Sequence, residues 1–322
     1  MYQSQARHLM NKWSFEKRPF IVIADFELEN IKVYPLNALP SDILFNFNGS
    51  RNYDNYFVQS VKPEFTHLGL SLSQYKIAFD KVHQELQYGN TFLINLTMRT
   101  EVTSSFSLKE LFFYSNAKYN LFYKDEFIFF SPEPFVKIKD GYIHSYPMKG
   151  TINADIPNAE KVILNNLKEK AEHNTIVDLI RNDLSIVAKQ VHVPRFRYVE
   201  EIKNNGQNIL QVSSEVKGKI KLKYINRLGD TIFNLLPAGS ISGAPKPKTV
   251  NIIKNVESQK RGFYTGICGI FNGSEFDSCV MIRFIEKEQN KLFYRSGGGI
   301  THKSDMMSEY KETLQKIYVP TH

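Results

Sequence analysis

Hydrophobic periodicity first becomes clear in residues 71–90, SLSQYKIAFDKVHQELQYGN, and it predicts an amphipathic helix. Apolar side chains recur at helical spacing at Tyr75, Phe79, Val82 and Leu86. Ser73 is the predicted N-cap, because its hydroxyl can accept a bond from a free backbone amide of the first turn. Gly89 is the predicted C′ residue, where a left-handed conformation commonly ends a helix.

Apolar runs and alternating patterns predict strands before and after that helix. Residues 20–26 and 43–49 precede it, and residues 91–100, TFLINLTMRT, follow it. The strand at 91–100 has a predicted buried face, made of Phe92, Ile94, Leu96 and Met98. Later strands are predicted at 198–222, 263–271, 277–285 and 291–295.

The stretch FIFFSPEPFVKIKDGYIHSYPMKGT predicts a β-hairpin, because Asp140 and Gly141 stand between two alternating runs. With those two residues in the loop, Lys149 falls opposite Pro132 and next to Glu133. Paired strands are close enough for an ammonium and a carboxylate to meet. The prolines of this stretch cannot donate ladder bonds, so the face on which each side chain lies stays open.

Further helices are predicted at 158–190, as one or two helices, and at 224–236, 247–256 and 304–318. Strands and helices are grouped along the chain and do not alternate strictly. That grouping favours an α+β fold with a largely antiparallel sheet over a doubly wound one. No repeat or linker is evident, so residues 1–322 are expected to form a single domain.

Bulk composition indicates a globular protein of the cytoplasm. The chain has 322 residues, of which 42% are apolar, and no segment approaches the roughly 20 apolar residues of a membrane span. The start, MYQSQARHLMNKW, lacks an apolar signal segment. Cys268 and Cys279 give neither a disulfide framework nor a metal set, and we expect them to be small buried side chains.

The charge balance favours anionic partners without identifying them. Lys and Arg number 41 and Asp and Glu 33, for a net charge of +8. The basic residues are spread along the chain, and no nucleic-acid-binding motif is present, so nucleic acid is not an expected partner. The densest basic run, KGKIKLK at 217–223, is predicted to be an edge strand with solvated lysines. A noncatalytic anion-binding protein remains an alternative.

Two pairs of acidic residues are candidate ligands for Mg²⁺. Glu169 and Glu172 lie three apart on one predicted helix, and Glu309 and Glu312 lie three apart on another. Each spacing puts two like charges on one helix face, which is unfavourable without a compensating positive charge. Mg²⁺ prefers carboxylate oxygens and keeps other positions for water and substrate. Either pair alone is also compatible with an ordinary solvated face.

Two small-residue segments are candidate anion-binding loops. RSGGGITHKSD, at 295–305, brings glycine-rich backbone towards a helix N-terminus, although the pattern taken alone favours a merely flexible loop. LLPAGSISGAPKPKT offers Ser240, Ser242 and Lys246. No P-loop, GxSxG or HExxH motif is present. A lysine near a glutamate, paired acids and amide-rich loops together suit an acidic small molecule handled with Mg²⁺.

Several motifs, in order and spacing, resemble those of the chorismate-utilising enzymes, which include anthranilate, isochorismate, salicylate and aminodeoxychorismate synthases. They are SPEPF (131–135), PMKGT (147–151), KEKAEHNTIVDLIRNDL (168–184), LPAGSISGAPK (236–246), RGFYTGICG (261–269), CVMIR (279–283), and SGGGI with SEYKET near the end. The resemblance covers residues 72–318, the expected catalytic part. It implies two stacked antiparallel sheets flanked by helices. Residues 1–71 would be a shortened β-rich N-terminal part.

Lys149 determines which subgroup the chain resembles. A lysine in P-x-K-G-T is typical of aminodeoxychorismate synthase component I, whereas anthranilate and isochorismate synthases usually have alanine there. The resemblance implies that Lys149 attacks carbon 2 of chorismate and that ammonia then enters at carbon 4. Glu133 would protonate the departing hydroxyl, which requires a raised pKa. Lys149 would have to be partly neutral, which burial can arrange by lowering its pKa.

The remaining site roles also follow from the resemblance. Mg²⁺ would be held by Glu172 and Glu312 directly, with Glu169 and Glu309 in outer positions. The expected substrate-binding residues are Gly150, Thr151, Ser242, Lys246, Tyr264, Arg283, Gly297, Gly298 and Gly299. Arg283 suits a bidentate grip on a carboxylate. Ammonia would come from a separate glutamine amidotransferase, and the product would feed para-aminobenzoate and folate synthesis.

Three departures from the family pattern bear on the alternatives. Leu93 stands where relatives have Gln, or Lys in the enzymes that activate water, which argues against isochorismate synthase. Leu210 replaces a histidine associated with pyruvate loss, which fits a product that keeps its enolpyruvyl group. The short N-terminal part lacks an LLES-type segment, so inhibition by tryptophan is not expected. Anthranilate synthase component I is the alternative that this reasoning keeps.

Overall fold

The computed structural model describes residues 1–54, 62–202 and 208–320. The α-helices of these residues, α1 to α8 in chain order, are Gln3–Phe15, Leu72–Gln87, Leu108–Tyr114, Ala159–Asn165, Leu167–Val187, Leu228–Phe233, Lys246–Val256 and Met306–Gln315. The first nine strands, β1 to β9, are Phe20–Ala24, Ile31–Pro35, Ile43–Phe47, Ser50–Arg51, Phe65–His67, Leu93–Ser104, Tyr119–Tyr123, Phe127–Ser131 and Pro134–Lys139. Strands β10 to β18 are Tyr142–Ser145, Met148–Asn153, Ala188–Ile202, Ile209–Ile220, Gly243–Ala244, Ile267–Phe271, Phe276–Val280, Phe284–Glu288 and Lys291–Ile300.

The described strands form two antiparallel sheets, which confirms the α+β prediction. The first sheet has the order β11-β13-β10-β9-β16-β15-β1-β2, with β12 also paired to β13. The second has the order β14-β6-β18-β17-β8-β7-β3-β4, with β5 also paired to β6. Both sheets take strands from residues 1–71, so this part of the chain is built into the same two sheets as the rest.

Strand β1 shows how the layers stack, because its two faces enter different cores. Phe20, Val22 and Ala24 pack with residues of the helices that cover the first sheet. The intervening Ile21 and Ile23 pack between the two sheets. A strand buried on both faces is apolar throughout, which explains the uninterrupted run FIVIA. A third core lies between the second sheet and α3.

The predicted hairpin is confirmed, but its register does not extend to the lysine. Lys139 pairs with Tyr142, Ile138 with Ile143 and Lys137 with His144, so Asp140 and Gly141 form the two-residue turn. Beyond His144 the chain leaves β9, and β11 pairs with β13 instead. The expected placement of Lys149 opposite Pro132 is therefore wrong. Prolines at the open end of the hairpin cannot continue the ladder, which lets the two strands separate.

Helix α2 confirms the predicted periodicity and corrects its cap. Tyr75, Phe79, Val82 and Leu86 are all buried. The N-cap is Ser71, whose hydroxyl accepts from the Gln74 amide, and not Ser73. Gly89 follows the C-cap residue with φ +73°, as predicted. In the next segment Ile94 and Leu96 are buried, but Phe92 is 65% exposed because it precedes β6.

The region 158–190 contains two helices, as allowed by the sequence. Asn166 separates them, and its side chain accepts from the Glu169 amide at the start of α5. The predicted strands at 198–222 correspond to β12 and β13, although β12 already begins at Ala188; residues 203–207 lie outside the described residues. The run KGKIKLK is not an edge strand, because its residues 217–220 belong to β13, which lies between β10 and β12, and its last three residues follow the strand.

The glycine-rich segment before the last helix and the predicted strand at 277–285 both fold differently from expectation. Gly297–Gly299 belong to β18, paired with β6, and do not form a loop before the last helix. A Cβ at Gly297 would lie 2.3 Å from the Leu96 carbonyl oxygen, so the two strands approach closely only without a side chain there. The strand predicted at 277–285 is two strands, β16 and β17, which belong to different sheets.

The first helix and the two cysteines both contribute buried side chains to the hydrophobic cores. Helix α1, which the hydrophobic pattern had not indicated, buries Ala6, Met10 and Trp13. Cys268 and Cys279 are fully buried, directly opposite each other on β15 and β16, as expected of small core residues. No described helix combines the length and the hydropathy that crossing a membrane would require.

Candidate active site

Two adjoining cavities open where β11, α5, α8 and β18 meet. The first, which we call the polar cavity, has a volume of about 470 Å³ and contains Glu169, Arg283 and Glu309 in its lining. The second, the apolar cavity, has a volume of about 730 Å³ and is lined in part by Phe92 and Leu167. Residues common to both linings are Asn95, Glu133, Met148, Lys149, Lys168, Glu172, Ser240, Gly299 and Lys316.

The polar cavity brings together most of the residues singled out in the sequence. Those in its lining are Glu133, Lys149, Gly150, Thr151, Glu169, Glu172, Tyr264, Arg283, Gly297, Gly299, Glu309 and Glu312. Gly298 lines the apolar cavity, but a Cβ there would lie within 4 Å of carboxylate oxygens of Glu309 and Glu312. Ser242 lines the apolar cavity only, and Lys246 lines neither.

Glu133 is held between β8 and β9 with its carboxyl group inside the protein. Its backbone amide donates to the Ser131 hydroxyl, and its carbonyl accepts from the Val280 amide. Its Oε1 accepts from the Ser240 hydroxyl at 2.5 Å. Burial raises the pKa of Glu133, although the Ser240 bond and the charges of nearby cations oppose this shift. The predicted direction is therefore confirmed, and Glu133 is suited to donate a proton.

Lys149 lies on β11 and forms an ion pair with Glu172 on α5. Its Nζ is 2.7 Å from Oε2 of Glu172, and both side chains are partly buried. Burial alone would lower the pKa of Lys149, but the charge of Glu172, with smaller contributions from Glu312 and Glu169, raises it overall. The expectation of a partly neutral lysine thus does not hold in this arrangement, because the carboxylates outweigh desolvation.

Local backbone geometry explains how Lys149 reaches this position. The register of β11 against β13 shifts between Met148 and Thr151, which displaces the intervening residues from regular pairing. Gly150 has φ +88°, and a Cβ there would lie 3.1 Å from Oε2 of Glu169. Glycine therefore permits the left-handed conformation and leaves room for the carboxylate.

A buried hydrogen-bond network fixes α5 to the strand that carries Lys149. Nε2 of His173, the residue after Glu172, lies 2.7 Å from the Ser214 hydroxyl on β13. The Ser214 amide in turn donates to the Pro147 carbonyl, two residues before Lys149. Burial lowers the pKa of His173 to about 4, so the imidazole is neutral. The two members of the ion pair are thus attached to one rigid network.

The four predicted metal ligands face the polar cavity from two helices. Burial raises the pKa of Glu309, and the charge of Glu312 adds to that shift. Burial would also raise the pKa of Glu312, but Lys316, with weaker help from other lysines, lowers it. Over residues 1–54, 62–202 and 208–320, no three His, Cys, Asp or Glu side chains are close enough to hold one ion. The carboxylate oxygens of these four glutamates are ligands of the kind that Mg²⁺ prefers. In this structure Glu172 and Glu312 are each paired with a lysine.

The cations of the polar cavity differ in whether a carboxylate already neutralises them. Lys149 and Lys168 contact Glu172, Lys316 contacts Glu312, and Arg295 contacts Glu286. Within the described residues Arg283 has no carboxylate at ion-pair distance, and its buried Nε has no hydrogen-bond partner. Its backbone has φ +53°, an uncommon conformation for a residue with a side chain. Arg283 is therefore available to bind an anionic ligand.

Sequence reasoning missed three residues of this site. Ser240 was noted in its loop but not as the partner of Glu133. Lys316 is 2.8 Å from Glu312, four residues earlier on α8, and helical spacing could have indicated this pair. Tyr318 lies beyond α8 in the polar cavity, where no sequence pattern marked it.

Comparison with protein families identifies the architecture around these cavities. Residues 48–322 match the family model described as chorismate binding enzyme. The chain belongs to the chorismate binding enzyme family. Its site motifs and the two antiparallel sheets agree with this membership.

Relatives of this chain differ in how much of their length it covers. An uncharacterised PabA-like protein of Haemophilus influenzae is 47% identical, over 99% of this chain and 98% of its own. Aminodeoxychorismate synthase component 1 of Bacillus subtilis is 29% identical over 92% of this chain and 62% of its own. Anthranilate synthase component 1 of Saccharolobus solfataricus is 36% identical, but over only 58% of this chain and 45% of its own.

Solved structures of family members share the fold. The menaquinone-specific isochorismate synthase of Escherichia coli aligns with a TM-score of 0.72 at 14% identity, covering 98% of this chain and 81% of its own. Anthranilate synthase component I of Streptococcus pneumoniae aligns with a TM-score of 0.65 at 24% identity, covering 79% of this chain and 58% of its own. At these identities the likeness establishes the fold alone.

Lys246, expected to bind substrate, is instead engaged in an internal ion pair. Its Nζ is 2.8 Å from Oδ2 of Asp183 on α5 and also donates to the Leu235 carbonyl. Burial raises the pKa of Asp183, although Lys246 opposes the shift. This pair joins the start of α7 to α5 beneath the loop that carries Ser240. The Ser242 hydroxyl likewise donates to a backbone carbonyl, that of Ala238.

We predict that Lys246→Met reduces stability and not substrate affinity. The substitution leaves Asp183 buried without its partner, which costs about 3 kcal/mol of unfolding free energy. Adding Asp183→Leu should recover most of that loss, because both charges are then absent. Urea unfolding measures the first effect and the KM for chorismate the second. A large rise in KM with unchanged stability would restore Lys246 to the binding site.

Proposed function

We propose that this chain aminates chorismate at carbon 4 to give 4-amino-4-deoxychorismate, with ammonia supplied by a separate glutamine amidotransferase. The observation that carries the proposal is that Lys149 and the buried acid Glu133 line the same cavities. The similarity to aminodeoxychorismate synthase component 1 along 92% of the chain supports it. The product would serve para-aminobenzoate and folate synthesis.

Chorismate carries two carboxylates, and the polar cavity offers a different means of binding each. Arg283, which has no internal carboxylate partner among the described residues, would take the enolpyruvyl carboxylate through its guanidinium fork. Mg²⁺ held by Glu172 and Glu312, with Glu169 and Glu309 in outer positions, would supply a positive charge for the ring carboxylate. Gly297–Gly299 let the backbone of β18 approach the ligand closely.

The chemistry requires one nucleophile and one acid. The Lys149 amine forms a bond to carbon 2 as the bond between carbon 4 and its hydroxyl breaks, and Glu133 gives its proton to the departing oxygen, which leaves as water. Ammonia then bonds to carbon 4, and the electron pair shifts through the ring to expel Lys149 from carbon 2. The incoming nitrogen loses a proton, and Glu133 recovers one.

Glu172 links metal binding to the state of Lys149. The same carboxylate is the present partner of the lysine and a proposed ligand of Mg²⁺. Because the charge of Glu172 is the main influence that raises the pKa of Lys149, engagement of Glu172 elsewhere would favour the neutral amine. The ion pair would then be a resting arrangement that opens before the reaction.

Side chains that line the cavities favour amination of chorismate over the reactions of isochorismate and anthranilate synthases. Leu93 lines the apolar cavity, so it presents hydrocarbon where water-activating relatives have a lysine. Leu210 lies outside both cavities, whereas its neighbour Gln211 lines the polar cavity. No histidine is present in the described lining of the polar cavity to assist pyruvate loss. Anthranilate synthase component I is the second candidate, favoured by the 36% identity over 58% of the chain.

The first prediction from the proposed function concerns Lys149 as nucleophile. Lys149→Ala and Lys149→Arg should both reduce chorismate amination by roughly 10³-fold or more, because neither side chain supplies a neutral amine. The assay uses purified protein with chorismate, Mg²⁺ and ammonium, with chromatography of the product. Mass spectrometry of quenched wild-type protein should find an adduct on Lys149 equal to chorismate less one water.

Two results would contradict this mechanism. Unchanged turnover in Lys149→Ala would exclude the covalent step. Formation of fluorescent anthranilate by the wild-type protein would favour the second candidate. Lys170→Ala, at an exposed position of α5, is the matched control and should retain full activity.

The second prediction concerns the proton on Glu133. Burial raises its pKa, so the protonated form persists to a higher pH than in an ordinary glutamate, and kcat should fall as pH rises through that raised pKa. Glu133→Gln should reduce kcat by about 10²- to 10⁴-fold and remove this alkaline limb. Glu275→Gln, at a surface ion pair, should leave the profile unchanged. Persistence of the limb in Glu133→Gln would assign it to another group.

The third prediction tests the shared role of Glu172 without any turnover. Lys149→Ala removes a cation that competes for this carboxylate, so Mg²⁺ should bind about fivefold more tightly. Glu172→Gln should weaken Mg²⁺ binding, and Lys170→Ala should not change it. Calorimetric titration with MgCl₂ in the absence of substrate measures all three. Equal affinities in wild-type and Lys149→Ala would separate the lysine from the metal site.

A further inference from the structure

We infer that Tyr318, in the segment after α8, is a positioning residue that holds Arg283 ready for a ligand carboxylate. The inference rests on the proposed function, which makes that carboxylate part of chorismate. The motifs on which the resemblance to the family rests do not include Tyr318, which follows SEYKET by several residues.

The aromatic ring of Tyr318 lies against the guanidinium of Arg283. The distance from Cζ of Arg283 to the ring centroid is 5.0 Å, within the range of a cation–π contact. Both residues line the polar cavity, so the contact occurs at the cavity wall. Tyr318 is 45% exposed, so the contact is only partly shielded from solvent.

Arg283 has more need of an aromatic contact than the other cations of the polar cavity, which are already held by ion pairs. Those cations have carboxylate partners, which fix the position of their charged groups. Arg283 has none among the described residues, and an arginine side chain has several rotatable bonds to order. An aromatic face can restrict the guanidinium without neutralising it. The guanidinium thus keeps its positive charge for a ligand. Against the effect of burial, the Tyr318 hydroxyl contributes to raising the pKa of Arg283, so it acts on the same group.

Backbone contacts on both sides of Tyr318 hold its ring in place. The Tyr318 carbonyl accepts from the hydroxyl of Tyr294, which is fully buried. Before it, Ile317 is buried in the core beneath the second sheet. After it, the Pro320 carbonyl accepts from the Asn116 amide at 3.0 Å. The segment is thus attached to the protein before, at and after Tyr318. None of these three attachments uses the Tyr318 ring, so they should persist when the ring is removed.

This arrangement separates an effect on binding from an effect on chemistry. Tyr318 contacts a group that holds the substrate, whereas Lys149 and Glu133 perform the proposed bond changes. Loss of the ring should therefore weaken chorismate binding by about 3- to 30-fold, the range expected of a partly exposed cation–π contact. The rate with bound substrate should change little.

The test compares Tyr318→Ala and Tyr318→Phe with Val319→Ala, a control in the same segment whose side chain packs in the neighbouring core. Tyr318→Ala should raise KM and the calorimetric Kd for chorismate about tenfold, with kcat within twofold. Tyr318→Phe keeps the ring and should stay within about threefold of wild type. Val319→Ala should leave KM unchanged.

A double-mutant cycle identifies the partner. In an Arg283→Ala background, Tyr318→Ala should have no further effect on Kd, because the guanidinium it positions is absent. Unchanged KM in Tyr318→Ala, a loss confined to kcat, or additive effects in the cycle would each overturn the inference.

Failure of the proposed function would give a different result. Wild-type protein would then form anthranilate from chorismate or would not convert chorismate at all. Crystal structures of wild-type protein and Tyr318→Ala would still decide the positioning role. A displaced or disordered Arg283 guanidinium in the variant supports it, and an unchanged guanidinium overturns it.

Discussion

The partly buried ion pair between Lys149 and Glu172 is the interaction on which the site depends. It joins the strand β11 to the helix α5 at the boundary of the two cavities. Neither charge would be stable there alone, because burying an unpaired charge is costly. The pair therefore lets an amine and a carboxylate occupy the same partly buried region. The network through His173 and Ser214 keeps the two elements in register.

The pKa values of two glutamates in the same site shift in opposite directions because their surroundings differ. Burial dominates at Glu133, whose pKa is raised, and the nearby cations do not reverse that shift. At Glu312 the charge of Lys316 outweighs burial, and the pKa is lowered. One carboxyl group is thereby suited to give a proton and the other to bind a cation. This division follows from position, since the two side chains are chemically identical.

Cation pairing divides the basic residues in a similar way. Lys246 and Arg295 have internal carboxylate partners and contribute to the structure of the walls. Arg283 has no such partner among the described residues, so its charge is available to a ligand. A basic side chain near a cavity is thus a binding residue only when the protein has not already neutralised it.

The sequence by itself determined the features that depend on near neighbours along the chain. The periodicity of α2, the turn at Asp140 and Gly141, and the acidic pairs on α5 and α8 all follow from local rules, and each was predicted at the correct residues. The resemblance of the motifs also gave the family and most of the cavity lining. The capping residue of a helix is harder to predict where two nearby serines both suit the position, as Ser71 and Ser73 do at the start of α2.

Only the tertiary structure decided which distant residues meet. Pairing of β11 with β13 placed Lys149 beside Glu172 and not opposite Pro132, and pairing of β18 with β6 made a strand of Gly297–Gly299. Lys246 pairs with Asp183, more than sixty residues earlier in the chain, and lines neither cavity. Such contacts are set by how sheets and helices stack, and the charge of a buried group depends on all its neighbours. Local sequence contains neither kind of information.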